Sequence, residues 1–204
     1  MKPQPSFIHL LQILLEKTKR GDEMKVGEIF DILSTKRYAA LFVVLSFPFC
    51  IPIQIPGFST PFGIVLSFLG LRLAFAKHPW WPSWILERKI KSEHVKNLAE
   101  KTIQAIRSIQ KVVHPRLTIL TQYSITHRIH GVLVFMLSLL LLLPLPIPFT
   151  NMLSAIPIFL IGIGLLEDDG LCIIFAYIIA FLCFLAFFGL ILFGKMHLTN
   201  FFVK

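Results

Sequence analysis

Apolar and polar positions along this chain fall into blocks with helical spacing inside them. Phe7, Leu10, Leu11, Leu14 and Leu15 repeat at three- and four-residue intervals ahead of Lys17, Lys19 and Arg20, which predicts an amphipathic helix. A second short helix is predicted over 26–33, with Ile29, Phe30 and Leu33 on one side. Both suit a membrane surface; a soluble two-helix lid is the alternative. Residues 38–55 are then almost wholly apolar and run into Pro48, Pro52 and Pro56. A turn at 57–61 and a second apolar run over 62–76 follow. Proline lacks the helical N–H and disfavours helix in the residue before it. Each arm is therefore left with roughly 15 helical residues, or about 23 Å. That is short for a full crossing, so the hairpin reads as proline-broken, either re-entrant or spanning. Irregular backbone at that depth survives only where protein buries it or it lines a wet cavity.

Residues 78–127 are polar. They open with Trp80, Trp81 and Trp84, residues suited to a membrane–water interface. A lysine-rich helix is predicted over 84–113, ending at Pro115. A second hairpin has arms at 129–143 and 152–166 and prolines at 144, 146 and 148, and a last apolar helix is predicted over 171–193.

The hairpins resemble each other. An offset of 92 sets Ser46 on Ser138, Pro52 on Pro144, Pro56 on Pro148, Ser59 on Asn151 and Gly70 on Gly162, with Arg37 and Arg128 one residue out of step. Paired broken hairpins are the sequence sign of a repeat-built membrane fold, with a site near the breaks.

Composition agrees. The chain is 55% hydrophobic and 15% charged, against roughly 25% charged in soluble domains. The net charge of +9 is uneven. Residues 77–128 hold ten Lys or Arg against three Glu, an excess of +7. Lying between apolar hairpins, this excess marks a cytoplasmic face under the positive-inside rule and does not indicate nucleic-acid binding. The predicted fold is an all-α integral membrane protein with the N-terminus cytoplasmic. Its segments are an amphipathic region 1–36, hairpin 37–77, a basic region 78–128, hairpin 129–168, and a final helix and tail 169–204. No cleavable leader is expected in 7–15, where His9 and Gln12 break the apolar run and no small-residue cleavage site follows.

The order of motifs resembles the ExoD exopolysaccharide-synthesis family of bacterial membrane proteins. The resemblance covers about 26–192. It rests on Val26 to Leu33, on Ile55 to Ser59, on Pro79-Trp80-Trp81-Pro82 and on Pro115-Arg116-Leu117. It rests further on Pro146 to Leu153 and on Gly164 to Gly170. It implies the bacterial inner membrane and a part in making surface polysaccharide, but no reaction. The family pattern has Gln where this chain has Arg72, and Arg where it has Asp168. A compensating Arg72–Asp168 contact is one reading of that pair.

Arg72 lies inside an apolar arm, where a charge costs ~2.5 kcal/mol or more unless it is paired or snorkels. It reads as an anion contact, or as a snorkelling cation. Glu167, Asp168 and Asp169 suit cation or proton handling, or a capped interhelical turn; Asp169 is the strongest candidate of the three. Gln54, Ser59, Thr60, Thr150 and Asn151 line the hairpin tips and either bind polar groups or cap helix ends. Arg116 is a candidate phosphate contact. Pro52, Pro56, Gly57, Pro144 and Pro148 are the structural breaks. Cys50, Cys172 and Cys183 have no metal-ligand spacing, and His78, His94, His114, His127, His130 and His197 are scattered. No phosphate loop, HExxH or nucleophile elbow occurs.

No enzyme, cofactor or metal site is therefore expected. Two functions fit: a carrier or flippase for an amphipathic anionic lipid or lipid-linked glycan, and a non-catalytic scaffold for a polysaccharide synthase. An ion or proton antiporter is a fainter third. Membrane lipids, polysaccharide-synthesis proteins and further copies of the chain are the expected partners.

Overall fold

The computed structural model describes residues 7–19, 23–33, 36–51, 59–75, 86–109, 113, 115–143 and 149–202. Apart from one two-stranded ribbon, the regular structure among them is helical. Two layers are present, a polar group of amphipathic elements and an apolar bundle.

The polar group contains α1 (Phe7–Thr18), β1 (Glu23–Lys25), α2 (Val26–Leu33), β2 (Lys89–Lys91) and α5 (Ser92–Ile109). The apolar stripe of α1, Phe7, Leu10, Leu11 and Leu14, is buried. It packs against α5, which contributes the buried Val95, Ala99 and Ile103. The stripe is thus covered by protein and is not a free membrane-surface face, whereas α2 has no fully buried residue. The helix expected over 84–113 is shorter because 89–91 forms a strand, antiparallel to 23–25 with Met24 opposite Ile90. Alternation of Lys89, Ile90 and Lys91 has period two, and pairing with the distant segment 23–25 fixes it.

The bundle contains α3 (Arg37–Ser46, continued by a 3₁₀ turn Phe47–Cys50), α4 (Ser59–Ala74), α7 (Ser124–Leu142), α8 (Thr150–Glu167) and α9 (Gly170–Phe202). A short helix, α6 (Ile119–Gln122), precedes α7. Three helices are long and apolar enough to cross a membrane: α7, α8 and α9 as far as Leu190. At about 1.5 Å per residue, the 19 residues of α7 reach about 28 Å. The α3 segment and the 16-residue α4 are shorter. The last helix runs past the expected stop at Phe193, because no proline follows to end it.

Small residues set how the bundle closes. A β-carbon at Gly70 would lie 2.7 Å from the Phe135 nitrogen and 2.9 Å from the Gly131 oxygen. One at Gly131 would collide with the backbone of Ala74, so α4 and α7 touch backbone to backbone, antiparallel. On the other side, a β-carbon at Gly162 would lie 2.7 Å from Val43 Cγ2 and 3.0 Å from the Ala39 oxygen, which seats α8 on α3. Without a hydrophobic drive between helices in lipid, close backbone approach of this kind supplies the packing. Ser46 donates to the Phe42 carbonyl and Ser138 to the Val134 carbonyl, the latter at 2.7 Å, so neither buried hydroxyl is orphaned.

Candidate functional site

Polar side chains gather at the end of the bundle where α3 and α7 begin and α8 ends. Helix α8 stops at Asp168, which takes a left-handed conformation (φ 55°, ψ 34°), while Asp169 donates its N–H to the Gly164 carbonyl at 2.9 Å. This closure satisfies a carbonyl the helix end would leave open. Lys36, one residue before α3 and 5% exposed, donates from Nζ to the Leu166 carbonyl at 2.6 Å and to Asp168 Oδ2 at 2.8 Å. The start of one hairpin is thereby tied to the end of the other.

The next turn is built on Asp169. It is buried, and its Oδ1 accepts the Leu171 N–H at 2.9 Å, capping α9. Gly170 donates its N–H to the Arg116 carbonyl at 2.6 Å. A side chain at 170 would strike the Leu117 carbonyl, 2.5 Å from the β-carbon position, so only glycine fits. Leu117 itself holds a positive φ of 49°. The segment of Arg116 and Leu117 thus braces the α8–α9 turn through backbone, with the Arg116 side chain exposed.

A second polar link crosses the bundle. His130 is fully buried on α7. Its Nε2 lies 2.8 Å from the Leu120 carbonyl, and its Nδ1 lies 2.8 Å from the Tyr177 hydroxyl on α9. A carbonyl only accepts, so in the neutral ring Nε2 carries the proton and Nδ1 accepts from Tyr177.

Arg72 lies on α4, with its guanidinium carbon 5.6 Å from the Phe68 ring centroid, and it donates a hydrogen bond to Tyr38 on α3. The ion-pair partner of Asp168 is Lys36, so the expected Arg72–Asp168 contact is not the one formed. The two candidates belong to different seams: Arg72 reaches sideways to α3, and Asp168 caps α8 beside the residue that precedes α3.

At the hairpin tips, Ser59 begins α4 and is buried, and Asn151 is half-buried in the first turn of α8. Buried Ser154 donates to the Thr150 carbonyl at 3.2 Å. Gln54, Pro52, Pro56, Gly57, Pro144 and Pro148 lie outside the described residues. Among the described residues no group of three His, Cys, Asp or Glu is arranged to hold a metal ion.

The structure therefore brings Asp169 and the Arg116 backbone together, and it places Arg72 in the last turn of α4, at the far end of that helix from Ser59. Lys36 and the His130–Tyr177 pair were not singled out from the sequence. For Lys36 a signal was available: it stands 92 positions before Arg128, the cation ahead of the second hairpin. Tyr177, inside a continuous apolar run, offered none.

The family profile described as "Exopolysaccharide synthesis, ExoD" matches residues 7–189. The chain belongs to the ExoD family. It is 31% identical over 189 residues to Protein ExoD of Rhizobium meliloti, an alignment covering 91% of this chain and 79% of that one. It is also 30% identical over 163 residues to an uncharacterized protein of Synechocystis sp., covering 79% of this chain and 76% of the other. No solved structure matches. The ExoD link is to exopolysaccharide synthesis, and every element of the bundle described above lies within the matched region or begins inside it.

Proposed function

We propose that this ExoD-family chain is a multi-pass protein of the bacterial inner membrane, with a cytoplasmic N-terminus. Its role in exopolysaccharide synthesis is to carry or flip an amphipathic anionic lipid or lipid-linked glycan. It acts as a carrier and not as an enzyme.

The observation that supports this is the reciprocity of the two seams. Gly70 packs on 131 and 135, while Gly162 packs on 39 and 43. Each of these three positions in the first hairpin differs from its counterpart by 92. The same offset relates the buried pairs Phe42 and Val134, Ser46 and Ser138, Leu66 and Ile158, and Leu69 and Ile161. This favours two repeats that exchange arms: the second arm of each packs on the first arm of the other. Both hairpins would enter from one side, as parallel repeats about an axis along the membrane normal. Such halves can rock about seams of small residues, and the broken tips would rearrange with them.

Lipid translocation in proteoliposomes tests the reading. Purified chain is reconstituted with a fluorescent polyprenyl-phosphate analogue, and loss from the outer leaflet is followed. Flipping above empty liposomes is expected, and Arg72→Gln should slow it. Folded protein that flips nothing removes the carrier.

The second reading is a scaffold for a synthase. It is favoured by the exposed face of α5, where Glu93, Lys96, Glu100 and Arg107 point away from the packed stripe. Neutralising Lys96 and Arg107 should then break a complex that co-purifies in mild detergent while leaving the fold intact.

A further inference from the structure

Helices α7 and α9 both pack on α8, and between them runs a groove of about 540 Å³. Its walls are Ile129, Val132 and Met136 of α7 and Ala180, Phe181 and Phe184 of α9. At one end stands Arg128; the Tyr177 hydroxyl near it is already engaged by His130. Arg128 is therefore the charged group of an otherwise apolar trough. Ile129, Val132, Met136 and Phe181 are each 45% exposed or more, so the trough opens sideways. Both walls belong to helices long and apolar enough to span a membrane, so the opening would face lipid.

The cation is the telling part. Lys36 and Arg128 stand at equivalent places, 92 positions apart, each just ahead of the apolar stretch of its hairpin. Lys36 is buried and satisfied by Asp168 and the Leu166 carbonyl. Arg128 is exposed, and among the described residues it has no ion pair. An arginine near a helix end in a membrane reaches the headgroup level, and its planar fork of donors matches a phosphate. We infer that this groove is a lipid seat: an anionic phospholipid lays one hydrocarbon chain between α7 and α9 and sets its phosphate on Arg128. The inference rests on the proposed membrane placement, but not on transport, since a seat of this kind can hold a lipid without moving it.

Native mass spectrometry of the full chain, released from detergent after incubation with phosphatidylglycerol or phosphatidylcholine, tests it. The wild type should retain phosphatidylglycerol about tenfold over phosphatidylcholine, a difference of about 1.4 kcal/mol. Arg128→Gln should abolish that preference, and Arg116→Gln, which removes an exposed cation outside the groove, should keep it. Val132→Trp, filling the groove from an exposed position, should lower retention of both lipids; Met136→Trp repeats this at a second site. Equal retention of both lipids by the wild type, or equal loss in the two arginine variants, overturns the seat. A polyprenyl phosphate that outcompetes phosphatidylglycerol through Arg128 overturns the phospholipid as its occupant. A lipid preference that survives in protein unable to flip the fluorescent analogue sinks the carrier and leaves the seat standing.

Discussion

Compared position by position, the two hairpins bury the same places and use their polar residues differently. Leu66 and Leu69 in the first match Ile158 and Ile161 in the second, all at or near zero exposure. At the entrance, however, the first hairpin has Lys36 and Tyr38 where the second has Arg128 and His130. Lys36 is locked into the end of α8 and Arg128 is not. Tyr38 bonds Arg72 within the first hairpin, whereas His130 reaches out to α9 through Tyr177. The arms differ too. The 19 and 18 residues of α7 and α8 are long enough to span, while α4 has 16 and α3 only 10 before its 3₁₀ turn. Packing positions are held in common, then, because both seams need the same close approach. Polar positions differ because each entrance faces different neighbours.

The largest test of this contrast is at the two cations. Lys36→Ala leaves a partly buried carboxylate and a buried carbonyl without their donor, and should cost about 3 kcal/mol. Arg128→Ala should cost under about 0.5 kcal/mol, as for an exposed charge. Denaturation in mixed micelles measures both, and equal losses would end the distinction.

Next come the seams. Gly131→Ala puts a methyl group into the Ala74 backbone and should cost about 2 kcal/mol. Gly162→Ala meets a movable Val43 methyl first and should cost less, while Gly189→Ala, with nothing within 4 Å, should be neutral. Thermal melts in detergent rank the three, and a costly Gly189→Ala would discredit the geometry. A smaller effect is expected at Tyr177→Phe, which strips the donor from His130 Nδ1 and should cost about 1–2 kcal/mol. Val134→Ile within the same bundle serves as the packing control in that melt. Smallest of all, Ser46→Ala and Ser138→Ala each remove one bond to the preceding turn, and should change stability by similar amounts below about 1 kcal/mol. A large difference between these two serines, seen in the same melts, would argue against equivalent surroundings.

Much of the architecture could be read from local pattern. Helical spacing of apolar residues marked α1 and α2, and continuous apolar runs marked the five bundle helices, because each pattern is complete inside its own segment; the ends were less legible, and α9 continues to Phe202, past the expected 193. The 92-residue offset was visible because Ser46, Pro52 and Gly70 have like residues at the matching places. What could not be read depended on distant partners. Residues 89–91 became a strand only by meeting 23–25. The stripe of α1 looks the same whether lipid or α5 covers it. Among the candidate residues, Asp169 was legible as a cap beside Gly170. The partner of Asp168 was not, because Lys36 lies 132 positions away in sequence.

By itself, the sequence determined that this chain forms long apolar helices, carries most of its net positive charge in one central block, and belongs with the ExoD proteins. Those properties follow from composition and from short-range periodicity. The tertiary structure alone decided that α4 pairs with α7 and α8 with α3, that Lys36 is buried and Arg128 exposed, and that a groove opens between α7 and α9. The reason is physical: apolar helices in lipid have no hydrophobic preference for one another. Their pairing is selected by where glycines let two backbones touch and by which polar groups then find a partner.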